Sequence, residues 1–118
     1  MPAMKHISGD VLGEKLPNMA ELGPHAFLDD FATSDDAEKP MTAGLFRLEA
    51  GEAVTYDYTY HEFKLIIDGE FHVTDDTGQT VTATKGDLFY FPKGSVITFS
   101  SPSYGVGYFC GQRGEGEA

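Results

Sequence analysis

"GEAVTYDYTYHEFKLIIDG" (Gly51–Gly69) is the stretch whose reading decides the fold. β-Branched and aromatic residues alternate with polar ones on both sides of Tyr60-His61, and a glycine bounds each end. Alternation of this kind marks half-buried strands, in which residues two apart share a face. Tyr56 and Tyr58 therefore point one way, and Glu62, Lys64 and Ile66 share a face of the next strand.

Working outward, the same pattern recurs along the chain, broken every eight to twelve residues by Gly, Pro or Asp. Strands are expected near 25–29, 42–49, 53–59, 61–68, 70–74, 79–83, 88–91, 96–100 and 105–110. "TDDTGQT" (74–80) reads as a hairpin turn, with Gly78 able to take positive φ. Gly69 is expected to let the chain reverse between two strands. The one helical candidate, "PNMAEL" (17–22), is too short to be a stable helix. "ATSDDAEKP" (32–40) reads as a loop that could close over a pocket. The last residues, "RGEGEA" (113–118), have nothing to bury and are expected to fray. Many short antiparallel strands leave a sandwich or a barrel, and no Cys…Trp…Cys pattern supports an immunoglobulin-type sandwich.

The totals limit the partners. Nineteen acidic residues against eight basic give a net charge of −11, which repels phosphate backbones and anionic lipid. No nucleic-acid or membrane partner is expected, since no apolar run nears the roughly 20 residues of a membrane span. The single cysteine, Cys110, excludes an intrachain disulfide and a cysteine-based zinc cluster, in keeping with a reducing, cytoplasmic setting.

A second stretch, "GDLFYFPKGSVITFS" (Gly86–Ser100), places Gly86, Pro92 and Gly94 before position 97 at a fixed spacing. Together with Glu62 and Gly69, this resembles the two motifs of the cupin superfamily. The words "YHEFKLIIDGEFHV" and "PKGSVITFS" are most similar to the small ethanolamine-utilisation (EutQ-like) cupins. The resemblance covers about residues 42–111 and implies an all-β fold, a single cupin jelly-roll β-barrel with an N-terminal arm of extra strands. The expected division is arm and loop at 1–40, barrel at 41–112 and loose tail at 113–118.

Cupin motifs usually carry four metal ligands: two histidines, a Glu and a last histidine. Here those positions hold Tyr56, Tyr58, Glu62 and Ile97, so one of the four usual ligands survives. A catalytic metal site normally supplies three or more protein donors. The leading expectation is therefore a metal-independent enzyme of lyase, dehydratase or isomerase type, acting on a small oxygenated or carbonyl-bearing molecule. Glu62 would be the acid/base, assisted by Tyr56, Tyr58, Lys64 and His72. Tyr90, Tyr108, Ile97 and Ile66 are expected to line the substrate pocket. His61 has the parity opposite to Glu62 and is expected to face outward.

Two other readings stay open. One is a divalent metal (zinc, nickel, iron or manganese) held by irregular ligands, Glu62, His61, His72 and a tyrosine. The other is a non-catalytic small-molecule-binding accessory protein. A homodimer is expected, because a small barrel with an arm has edge strands to cover. His6, His25 and Cys110 carry no functional assignment.

Overall fold

The computed structural model describes residues 2–118, which form an all-β barrel of eight strands. These are β1 (Ala26–Thr33), β2 (Thr42–Glu49), β3 (Val54–Asp57), β4 (Glu62–Asp75), β5 (Thr80–Thr84), β6 (Leu88–Phe91), β7 (Val96–Ser100) and β8 (Tyr104–Gly111). All pairings between them are antiparallel.

The architecture turns on β4. Its first half lies between β8 and β6, in a sheet that continues through β2 to β1. Its second half lies between β7 and β5, in a sheet that ends at β3. One strand thus serves both walls. The two strands expected at 61–68 and 70–74 are a single 14-residue element.

Gly69 makes the transfer without reversing the chain. The register with β8 slips between Ile66 and Asp68, and Gly69 then adopts φ +69°. A Cβ there would sit 2.2 Å from the Tyr104 carbonyl oxygen, so no other residue fits. The bulge also exchanges the faces of the strand. Glu62, Lys64 and Ile66 point inward before it, whereas Phe71 and Val73 point inward after it.

Between the walls lies an aromatic core. Phe46 stacks on Phe71 at 6.1 Å, and Phe99 meets Phe46 at 5.8 Å and Phe91 at 5.7 Å. Val54, Ile66, Ile97 and Phe109 complete it.

The N-terminal arm expected at 1–40 adds β1 to the sheet through its pairing with β2. Residues before Ala26 run irregularly, with 3-10 turns at Val11–Gly13 and Ala20–Leu22, the latter inside the stretch that had offered a helix. Backbone bonds from Met19 to Ala26 and from Leu28 to Pro17 tie the arm to β1. β1 itself extends to Thr33, so the acidic loop begins at Ser34.

The C-terminal segment is pinned at one point, contrary to the fraying expected of it. The Arg113 guanidinium is buried and donates twice to the Asp30 carboxylate, at 2.8 and 2.9 Å. The Gly116 amide donates to the same carboxylate at 2.8 Å.

Candidate functional site

Tyr58, the residue that follows β3 and is held by backbone bonds to Gly94 and Ser95, meets Glu62 and Lys64 of the inward face of β4 at the end of the barrel beneath the arm. Tyr58 Oη donates to Glu62 Oε2 at 2.5 Å. Lys64 Nζ lies 3.4 Å from the same carboxylate oxygen and donates to Tyr58 Oη at 3.4 Å. All three are buried, at 2%, 3% and 4% exposure, so water screens their charges little.

Aromatic rings replace the missing solvent around the lysine. Nζ sits 4.5 Å from the centre of the Phe46 ring and 4.6 Å from that of Phe99, where the negative ring faces offset part of its desolvation. Room for its stem comes from Gly107 on β8, where a Cβ would approach Lys64 Cγ to 3.0 Å. Burial lowers the Lys64 pKa, and the Glu62 carboxylate works against that shift. Burial also raises the Tyr58 pKa well above the ordinary phenol value, and the neighbouring carboxylate raises it further. Tyr58 therefore keeps its proton and gives Glu62 its short bond.

Tyr56 and Tyr60 extend the cluster. Their hydroxyls share a 2.8 Å hydrogen bond, and both rings meet Tyr58 edge-on, at 4.7 and 5.5 Å. Desolvation raises the pKa of each. Tyr60 was not among the residues singled out from sequence. It continues the alternation of Tyr56 and Tyr58, but beyond the last residue of β3, where strand parity no longer governs direction. The Arg113 guanidinium, also unforeseen, lies 5.5 Å from the Tyr60 ring centre.

The arm and the C-terminal segment close this end. Met19, Leu22 and Ala118 line the cavity together with the three tyrosines, Glu62 and Lys64. The space among them is about 20 Å³, close to the minimum of about 10–15 Å³ that one water needs. A larger molecule enters only if the arm or the C-terminal segment moves.

Other expected site residues lie elsewhere. His72 points outward and pairs with Glu70 at 2.8 Å, because the bulge at Gly69 inverts the parity that would have carried it inward. Tyr90 and Tyr108 are 51% and 42% exposed on the outer side of the barrel. Ile66 and Ile97 are buried in the core, and neither lines the Glu62 cavity. Outward-facing His61 accepts from the Lys93 amide at 3.1 Å and shares a 2.9 Å hydrogen bond with Tyr90 Oη. His25 bonds the Glu52 carbonyl at 2.8 Å. In Cys110, half-buried on β8, burial raises the thiol pKa, and so does the charge of Glu62.

The metal common in cupins does not fit these residues. Glu62 is the one strong metal donor at the motif positions, and its Oε2 is already engaged by Tyr58 and Lys64. Ile97 offers no donor. His61 and His72 do not join Glu62, and no group of three or more His, Cys, Asp or Glu side chains could hold an ion among the described residues. The irregular ligand set of Glu62, His61 and His72 is therefore not assembled.

Comparison with known proteins agrees with this scaffold. Residues 5–109 match the family described as ethanolamine utilisation protein EutQ. The chain belongs to the EutQ family. It is 37% identical over 81 residues to the Escherichia coli (strain K12) protein named acetate kinase EutQ, covering 68% of this chain and 34% of that protein. A Clostridioides difficile (strain 630) EutQ of the same name is 34% identical over 88 residues, covering 64% of this chain and 55% of the relative. The chain thus spans about a third to a half of the curated EutQ proteins it matches. The solved structure of a Salmonella typhimurium LT2 ethanolamine utilization protein Q superposes with a TM-score of 0.77 at 25% identity, over 98% of both chains. The polyketide cyclase RemF from Streptomyces resistomycificus superposes at 0.74 with 13% identity, over 92% of this chain and 79% of its own, a likeness of cupin fold alone.

Proposed function

We propose that this EutQ-family cupin is a metal-independent enzyme that moves a proton on a small oxygenated or carbonyl-bearing substrate, in a lyase, dehydratase or isomerase reaction. The observation that carries the reading is the Tyr58–Glu62–Lys64 cluster, sealed in an aromatic cage. Burying such a pair costs several kcal/mol per ion before attraction repays it. A barrel that needed only packing is served as well by apolar residues there.

Each group has a part. Glu62 takes or returns the proton at carbon. Tyr58, held protonated, donates to a substrate oxygen once its bond to Glu62 gives way. The Lys64 ammonium offsets negative charge that develops on that oxygen, in a site where water does not weaken the attraction. Tyr56 and Tyr60 supply hydroxyls to orient the substrate. Entry requires displacement of Met19 and Leu22 or of the C-terminal segment.

The test is turnover by the wild-type chain and Glu62→Gln across small hydroxy and keto acids, read by solvent deuterium incorporation at carbon. Wild-type exchange that Glu62→Gln lacks supports the reading; equal exchange overturns it. A thermal-shift hit returned unchanged, with no exchange, would favour an accessory binding protein.

The name of the relatives suggests a second reading, phosphoryl transfer between a nucleotide and acetate. Lys64 could then meet a carboxylate or a phosphoryl group. An acetyl phosphate and ADP assay on this chain decides it, with Lys64→Met as the control.

A homodimer and a cytoplasmic setting complete the proposal. No described helix is long and apolar enough to cross a membrane. Outward residues of β2, β8, β4 and β6 form two rows in register, Tyr108–Leu65–Leu88 and Ala43–Cys110–Phe63–Tyr90. Neither row contains a carboxylate, although the chain carries a net charge of −11. A second copy meets this face without acidic repulsion, which makes it the place for a two-fold interface.

A further inference from the structure

We propose a second binding site, distinct from the Glu62 cluster, for a small organic cation with an apolar body. It lies between the β4–β5 turn and the β6–β7 turn, in a cavity of about 280 Å³. That volume is just under the roughly 300 Å³ at which ligand pockets start, room for a small ligand.

The floor is apolar. Val73 and Ile97 come from the core, Val81 from β5, and Phe89 and Phe91 from β6. Phe89 is half-buried and turned into the cavity, and it stacks on Phe91 at 5.4 Å with 15° between the rings. An aromatic face left open on the inward side of a strand offers a surface for an apolar body or a cation.

The rim is acidic. Asp75 and Asp76 edge the opening, and no lysine, arginine or histidine lines it. Asp75 is fixed in place, since its Oδ1 accepts from Thr77 Oγ1 at 2.7 Å, from the Thr77 amide at 3.0 Å and from the Gln79 amide at 3.0 Å. Those bonds hold its pKa below the usual value, with the Thr77 hydroxyl the largest cause, so the rim stays negative. An apolar floor beneath a fixed carboxylate, in a chain of net charge −11, selects an ammonium over a neutral or anionic ligand.

The two sites share one wall. Phe91 stacks on Phe89 on the new site's side and on Tyr58 at 5.0 Å on the other. The two cavities have no lining residue in common, so the new site is separate from the Glu62 cluster.

Benzylammonium, benzyl alcohol and benzoate, alike in shape and different in charge, are the probes. Each is titrated into the full chain and followed by amide chemical shifts. Benzylammonium should bind roughly fivefold tighter than the alcohol, and benzoate should not bind, as one exposed ionic contact allows. The shifts should centre on 73–81 and 89–97. Asp76→Asn, an exposed change that spares the fold, should reduce the preference for the amine over the alcohol, with Asp75 holding the remainder, and Val81→Trp should fill the cavity and abolish binding. Equal affinity for alcohol and amine in the wild type, or shifts centred on 56–64, would overturn the proposal. So would an Asp76→Asn protein that keeps the full preference, whether or not Val81→Trp folds.

Discussion

Tyr58 Oη and Glu62 Oε2 lie 2.5 Å apart, four residues distant in sequence, on either side of the corner that joins β3 to β4. The hydroxyl is buried and keeps its proton, and the carboxylate has Lys64 as its counter-ion. This pair and its lysine are all buried, and the first prediction concerns them.

Glu62→Gln removes the charge that Lys64 answers. Turnover should fall by about 10²–10⁴-fold, the contribution of a positioned acid or base. Unfolding should stay cooperative in urea, with a loss on the order of 3 kcal/mol from the orphaned lysine. Glu62→Gln with Lys64→Met should regain most of that stability and none of the activity. A double variant no more stable than the single one would show that the pair is not energetically coupled.

The Asp30–Arg113 pair gives the fold an acid-sensitive latch. Burial works to raise the Asp30 pKa, but the bonds from Arg113 and the Gly116 amide outweigh it, and the folded value lies below 3.8. A depressed carboxylate pKa contributes stability that is present above the unfolded value and lost as pH falls through the folded one. Asp30→Asn should therefore be less stable than the wild type near neutrality, and the gap should close below about pH 4. Denaturant midpoints measured from pH 7 down to pH 2.5 check this; a gap constant with pH would rule out the linkage.

Gly69→Ala tests the strand transfer. The substitution places a methyl group against the Tyr104 carbonyl and forces an L-residue to φ +69°. A loss of about 2–4 kcal/mol is expected, the sum of backbone strain and overpacking. Gly78→Ala, also at positive φ but in open space, should cost less, about 1 kcal/mol. Equal losses would mean that the contact with Tyr104 carries no weight.

Leu65→Glu puts a carboxylate in the middle of the outer apolar rows. If the proposed interface is right, sedimentation should show a dimer for the wild type and a monomer for the variant, with the thermal midpoint little changed at high dilution, because Leu65 points away from the core. A variant that sediments as the wild type does would move the interface elsewhere.

Much of the scaffold was open to reading in one dimension. Alternation in "TYDY" and "EFKLI" assigns Tyr56, Tyr58, Glu62 and Lys64 their faces, because strand geometry repeats every two residues. The glycines and Pro92 mark the turns for equally local reasons. His72 shows where such reading stops. A bulge adds a residue to the strand without changing its composition, so a parity count carried across Gly69 comes out inverted. Tyr60 lies past the end of β3, where direction follows from how the corner packs.

Arg113 belongs to a segment whose composition offers nothing to bury, and it is buried because β1 brings Asp30 to it across the sheet. By itself the sequence determined the all-β class, the turns and the inward Tyr–Glu–Lys faces, since each depends on neighbours a few residues away. Only the tertiary structure decided that Met19, Leu22 and the C-terminal segment close over Glu62, and that Tyr90 and Tyr108 face solvent. Those outcomes depend on which wall each strand joins, and β4, shared by both walls, sets that at a single bend.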